Sequence, residues 1–364
     1  MTDTASEMLE QDARATAPAA VTRERYRPEL DGIRALCIIF TILEHVGGKP
    51  WWINGSIGVD CFFALSGWLI TSLMIREHQN QGAVSLRNFY IRRIFRIAPL
   101  YYLTAIIYIV SALAGAKATG SAELKHAFAY MMTMCMEYRP AAAGNLFGHA
   151  WTLGIEEKFY LIWPLIFATT IKRPILSGIL ALLALNTLFL VFGVTPLLFR
   201  GYCGLAFGAA FAILSLTRGP LPIARVGAAP FLILILLAYL ASIFWPDPAI
   251  WNIVIAFSAT FIIGSLWFGR SPATAAFLSV GPLPWLGRLT YAIYLVQSLC
   301  IRLAEMVLRS AKLPLNTFTI FIASYAIVIL VAWMMHAAVE KPMIRFGKKL
   351  ASDVRSGVKG LLRV

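Results

Sequence analysis

An all-helical, polytopic transmembrane bundle of about ten spans is the fold class this sequence predicts, on three observations. Of 364 residues, 59% are hydrophobic and only 14% charged, where a soluble domain carries about 25% charged residues. Apolar runs of about 20 residues recur along nearly the whole chain, each long enough to cross a hydrocarbon core of about 30 Å as a helix. Several runs contain Gly, Pro or charges, which points to helices packed on one another and excludes a single-pass anchor.

Residues 1–28 are polar, Ala-rich and of mixed charge, without the apolar core of a signal peptide, and read as a disordered cytoplasmic tail. Spans are expected at 30–47, 56–76, 97–115, 151–171, 174–194, 198–217, 226–245, 249–268, 285–308 and 316–338. The stretch ELKHAFAYMMTMCMEYRP, residues 121–138, is amphipathic and Met-rich but holds Glu123, Lys125, His126 and Glu137. The positive-inside rule decides its place. With 116–150 as one non-spanning segment and the N-terminus inside, RERYR, RNFYIRRIFR, IKRP, TRGPLPIAR and KPMIRFGKK all fall on the cytoplasmic side. Both termini are then cytoplasmic, and the outer segment is expected to contain a surface helix. The transmembrane domain is taken as 29–347 and the basic 348–364 as a second cytoplasmic tail. No internal repeat and no extramembrane domain with its own core is visible, so function must sit within the bundle.

The net charge of +14 would suggest nucleic acid in a soluble protein. Here the basic residues cluster at the ends of apolar runs, where topology and anionic headgroups account for them, and nucleic acid is not an expected partner. The five cysteines are scattered singly, so neither a disulfide framework nor a metal site is expected. The sequence fixes no oligomeric state.

Within the spans the ionisable residues fall into two layers. Arg34 and His45, eleven residues apart, differ by only about 20° in azimuth and roughly 16 Å along a helix axis. They share one face, and intramembrane ionisable groups usually face the interior or a water-filled cavity; the plainer reading is that Arg34 snorkels and His45 caps. Arg93 and Arg96, at i and i+3, lie at the depth of Arg34 and can grip one phosphate cluster. Arg92 reads as a topology signal. Asp60 falls near the depth of His45, either pairing with it and raising its basicity or serving a helix N-terminus. Ser66 and Gly67 suit close helix packing better than a nucleophile and hinge. Glu156 and Glu157 point about 100° apart, so one can face a cavity while the other caps or pairs. His149 and Trp151 at the boundary of that span, with Arg200, are candidate substrate contacts; Arg200 and Arg302 are also possible partners for the acids. Trp51, Trp52 and the aromatic 121–147 region suit the membrane interface or a sugar ring.

Seven motifs then occur in one order: RPELDGIRAL with arginine, ten residues, histidine; GVDCFFALSGWLI; FYIRRIFRIAPLYYL; HAWTLGIEEKFYLIWPL; FRGYCGLAFGAA; WLGRLTYAIYLVQ; and VEKPMIRFG. Over about 26–347 the sequence resembles the acyltransferase-3 family of membrane-bound, acyl-CoA-dependent O-acyltransferases. The resemblance implies ten core helices and transfer of an acyl group, most often acetyl, from a cytoplasmic coenzyme A thioester to a hydroxyl. The acceptors it implies are surface polysaccharides or glycolipids, with macrolides a minority, in the bacterial cytoplasmic membrane. The chain departs from the family pattern at Gln297, where a histidine is frequent, and a membrane unit acting without the fused esterase-like domain of some members is the expectation.

These readings combine into one expectation. Arg34, Arg93 and Arg96 hold the co-substrate acyl-CoA, no cofactor being permanently bound. His45 is general base or transient acyl carrier, Asp60 orients it, and Glu156 or Glu157 binds acceptor or shares proton transfer. A transporter or flippase of lipid-linked saccharides is the alternative class, against which the missing inverted repeat counts.

Overall fold

The computed structural model describes residues 26–47, 53–114, 118–170, 173, 196–217, 226–245 and 248–361. Helix α1 (Pro28–His45) begins with Pro28, whose fixed φ suits a first helical position, and carries Glu29 and Asp31 in its first turn, where the helix dipole favours acids. Helix α2 (Ser56–Gln81) stops at Gly82, which takes the left-handed conformation at φ 74°. Helix α3 (Leu86–Ala114) is followed by α4 (Ala118–Met132) and three 3₁₀ turns at Met136–Tyr138, Ala141–Ala143 and Gly148–Ala150. Then come α5 (Trp151–Thr170), α6 (Pro196–Thr217), α7 (Ala229–Phe244), α8 (Pro248–Trp267), the short α9 (Pro272–Leu278) and α10 (Pro282–Ser310). Helix α11 (Thr317–Met335) is capped by Asn316, whose side chain accepts from the Thr319 N–H at 2.9 Å. It runs through a π-helical turn, His336–Glu340, into α12 (Lys341–Leu361). Among the described residues there is no strand.

Among the described residues six helical stretches are long and apolar enough to cross a membrane: Ser56–Gln81, Leu86–Ala114, Leu198–Thr217, Ile250–Trp267, Pro282–Ser310 and Thr317–Ser352. The chain is a multi-pass membrane protein. The 18-residue α1 and 20-residue α5 match a span in length but are interrupted by Glu29, Asp31, Arg34 and Glu44 in one and Glu156, Glu157 and Lys158 in the other. The expected span at 174–194 lies outside the described residues.

Helix α4 has 15 residues, about 22 Å, too short to cross. It is less superficial than the sequence suggests, because Leu124, Ala127 and Met131 are buried in the main core cluster. The hydroxyls of Tyr101 and Tyr102 on α3 donate to the carbonyls of Met131 (2.9 Å) and Met132 (3.0 Å). Beyond α4, Glu137 forms an ion pair with Lys158 of α5. Burial pushes the Glu137 carboxyl up in pKa, and Lys158 opposes that.

Helices α2 and α6 pack at backbone contact, because a Cβ on Gly67 would fall on the Leu205 carbonyl and one on Gly208 on the Ala64 carbonyl. Helix α1 packs against both α2 and α10. Its two flanks therefore look onto the two walls of one interior space.

Candidate active site

A cavity of about 530 Å³ opens between α1, α2, α3, α5, α10 and the π-turn. Its cationic wall is Arg34, Arg93, Arg96, Arg288 and Lys348, and its polar wall includes Ser66, Thr152, Glu156, Tyr160, Thr290 and Tyr294. The three arginines expected together are together. Arg34 is held by Asp31 one turn before it, at 3.2 Å. The Arg93 guanidinium lies 4.7 Å over the Tyr160 ring and 5.7 Å from the Phe89 ring. Arg96 makes no hydrogen bond or ion pair among the described residues and faces the same cavity. Arg92 instead pairs with Glu77 at 3.4 Å and does not line it.

The adjacent glutamates separate as their 100° offset requires. Glu156 lines the cavity, accepting from the Ser66 hydroxyl at 2.7 Å and from the Tyr160 hydroxyl at 3.2 Å. Ser66 is therefore a carboxylate partner, while Gly67 does the packing. Glu157 does not line the cavity, and its buried Oε1 meets no hydrogen-bond partner among the described residues. Glu156 thus sits with the arginines and not with His45.

At the other end of α1, His45 is exposed, and its Nδ1 lies 2.7 Å from the Thr41 carbonyl. That contact assigns the proton to Nδ1 and leaves the Nε2 lone pair free. The His149 ring stands edge-on to His45, centroids 6.3 Å apart. Phe147, at φ +54° in the left-handed region, turns the chain so that its ring packs on Tyr101 and Tyr108 and His149 follows into the core. His149 is held by the Leu295 carbonyl and the Ser298 hydroxyl, both at 3.2 Å. Burial drives its pKa down to about 3, so the imidazole is neutral. The Tyr294 hydroxyl donates to the His149 carbonyl and accepts from Thr152 at 2.6 Å. Thr152 and Tyr294 end the cavity, so the histidines begin one side chain beyond its wall.

The expectation that Asp60 orients His45 is corrected. Asp60 is fully buried, and both its oxygens are bound by Arg200, Nη2 to Oδ2 at 2.9 Å. Arg200 also donates to the Ser56 carbonyl, so its fork is committed inside the α2–α6 interface and is not free to bind an acceptor. Asp60 also lies deeper than the level expected beside His45: α2 runs opposite to α1, with Gly55 against the Phe40 carbonyl and Gly58 against the Cys37 carbonyl, and the Asp60 carboxylate faces α6 and not α1. Trp151 is half-buried behind the cavity wall, its ring 6.0 Å from that of Phe63. Arg302 makes no ion pair among the described residues, and Trp51 and Trp52 lie outside them.

Sequence reasoning missed three cavity features. His336 and Glu340 bracket the π-turn, with Nδ1 and Oε2 2.8 Å apart, and both line the cavity. Arg288 and Tyr26 form a rim, where Tyr26 donates to Asp31 at 2.9 Å and accepts from Arg288 at 3.1 Å. Tyr291 and Tyr294 come from WLGRLTYAIYLVQ. The visible signal for the first was an i,i+4 His–Glu pair at the end of an apolar span, directly before Lys341 and Pro342.

The family's sequence model, described as an acyltransferase domain, matches residues 27–337, most of the chain. The chain belongs to the acyltransferase-3 family. It is 27% identical to a provisionally named O-acetyltransferase of Staphylococcus aureus, over 93% of this chain and 61% of that protein. It is 29% identical to the peptidoglycan O-acetyltransferase OatA of Listeria monocytogenes, over 74% of this chain and 49% of that one. A provisionally named peptidoglycan O-acetyltransferase of Bacillus subtilis is 28% identical over 74% of this chain and 48% of its own length. The chain thus spans between half and three fifths of the curated relatives it matches. No solved structure matches it. The matched segment contains the arginines, both glutamates and both histidines of the site.

Proposed function

We propose that this acyltransferase-3 chain moves an acyl group, acetyl by analogy with the O-acetyltransferase names of its relatives, from cytoplasmic acyl-CoA to a glycan hydroxyl at the outer face of a bacterial cytoplasmic membrane. The observation that carries the reading is one cavity with an arginine-rich floor whose far wall touches a histidine pair. A nucleotide with several phosphates is matched by Arg34, Arg93, Arg96, Arg288 and Lys348, and a thin acyl-bearing arm by the narrow polar end at Thr152 and Tyr294.

In this mechanism the Nδ1–H of His45 stays on the Thr41 carbonyl, and Nε2 takes the proton of the acceptor hydroxyl. The hydroxyl oxygen bonds to the thioester carbonyl carbon, and the carbon–sulfur bond breaks. The departing thiolate recovers the proton from the imidazolium, so ester and free coenzyme A form and His45 returns to its neutral state. Glu156 acts at a distance as a positioning residue, fixing Tyr160, on whose ring Arg93 rests.

The test is release of free thiol from acetyl-CoA by purified protein with glycan acceptor, wild type beside His45→Ala and His149→Ala. The His45 variant is expected to fall by about a hundredfold or more, the usual scale for removing a general base. Wild-type turnover in His45→Ala refutes the assignment, and no thioester cleavage by the wild type refutes the acyl-CoA reading.

A further inference from the structure

Helix α10 carries a row of polar groups that extends past the cavity. Gly287, Thr290 and Tyr294 line the cavity on one face, and Gln297 continues that face one turn further. Gln297 is completely buried, yet among the described residues neither its Nε2 nor its Oε1 has a hydrogen-bond partner. The Thr290 hydroxyl, buried in the same row, has none either. Native interiors satisfy most buried polar atoms, and each bare one costs roughly 1–3 kcal/mol. Three such atoms on one helix face therefore call for an explanation.

The register of α1 and α10 gives the depth of this row. A Cβ on Gly287 would fall on the Asp31 carbonyl, and one on Gly47 would lie 3.8 Å from the Glu305 Oε1. The two helices thus climb side by side in the same direction. From the Asp31–Gly287 contact, Arg34 and Thr290 are each about 5 Å up, Gln297 about 15 Å and His45 about 21 Å. The unpartnered amide lies between the arginine cavity and the histidine.

We propose that Thr290 and Gln297 line the passage of the donor's pantetheine arm, and that the Gln297 carboxamide pairs with an amide of that arm. Nε2 donates to the arm's amide carbonyl and Oε1 accepts from its amide N–H, the complementary pattern of two carboxamides. Thr290, about 10 Å below, serves the nucleotide-proximal part of the arm. The inference rests on the acyl-CoA reading above. It gives the position where the family frequently carries histidine a binding role in this chain and assigns it no proton transfer.

The test combines stability with binding. Gln297→Leu removes two unsatisfied polar atoms, so the variant without ligand is expected to unfold at the same or a higher temperature than wild type. Its KM for acetyl-CoA is expected to rise about tenfold, the scale of two lost hydrogen bonds, with kcat and the acceptor KM nearly unchanged. The thermal shift given by coenzyme A is expected to shrink, while that given by adenosine 3′,5′-bisphosphate, which lacks the arm, stays at the wild-type value. Gln297→Met, unbranched and close in volume, is measured in parallel to separate packing from hydrogen bonding. Wild-type coenzyme A binding in both variants overturns the proposal and leaves the donor reading intact. So does a large fall in ligand-free stability in both, which would make Gln297 a structural partner. A wild-type protein that neither cleaves acetyl-CoA nor responds to coenzyme A overturns the donor reading itself.

Discussion

Replacing Asp60 by alanine leaves the Arg200 guanidinium, whose side chain is 11% exposed, without the carboxylate that neutralises it. Removing one partner of a buried pair costs about 3–5 kcal/mol, because the remaining charge stays desolvated. At about 1.4 kcal/mol per factor of ten, that lowers the ratio of folded to unfolded protein by two to three and a half powers of ten. The α2–α6 contact, already at backbone distance through Gly67 and Gly208, is where the loss should appear. Removing both charges, in Asp60→Ala with Arg200→Leu, takes away the uncompensated cation, and replacing a whole buried pair by apolar residues is often neutral or stabilising. Thermal unfolding in detergent should therefore show a large drop for each single variant and recovery in the double one. Acetyl transfer per folded molecule should recover with it. A double variant that is stable but inactive would refute the structural assignment of Asp60 and return it to the chemistry at His45.

Glu156→Gln should raise the KM for acyl-CoA several-fold with little effect on the acceptor KM, since it disturbs the seat of Tyr160 and Arg93; Glu157→Gln should do much less, and the reverse order in steady-state kinetics would contradict the cavity geometry. His336→Ala is expected to weaken donor binding without lowering kcat, because His336 lies on the arginine side of the cavity and not beside His45. A fall in kcat alone, read in the same assay, would place the His336–Glu340 pair in the chemical step.

The common depth of the arginines was legible in the sequence, and the azimuth between helices was not. Arg34, Arg93 and Arg96 were expected at one level, and the structure gathers them because i,i+3 spacing and a shared depth leave few other arrangements. The split of Glu156 from Glu157 followed from the 100° step, though not which of them faces in. Asp60 shows the limit. It lies deeper than His45, because Gly58 of α2 packs on the Cys37 carbonyl of α1, and which neighbour it meets depends on how α2 is rotated about its own axis, which is set by the glycine contacts with α6. His336 and Glu340 escaped for a related reason. A π-turn shifts the register of every residue after it, so a 3.6-residue period carried through α11 points the wrong way at its end.

Ionisable groups in an apolar bundle are costly unless paired, and this chain divides them by how they are paired. Asp60 with Arg200 and Glu137 with Lys158 are closed pairs between neighbouring elements, each with a carboxylate side chain at 0% exposure. Such pairs fix the orientation of neighbouring elements, and Asp60 has both its oxygens committed to Arg200. Among the described residues Arg96 has no pair, the buried Oε1 of Glu157 has no partner, and Thr290 and Gln297 are bare in the interior. All of these lie on or near the cavity and its continuation toward His45. The two helices of span length that charges interrupt, α1 and α5, are also the ones that carry Arg34, His45 and the cavity glutamate. In both helices the groups that break the apolar pattern are held by near neighbours, Arg34 by Asp31 and Glu156 by Ser66 and Tyr160, and still face the cavity.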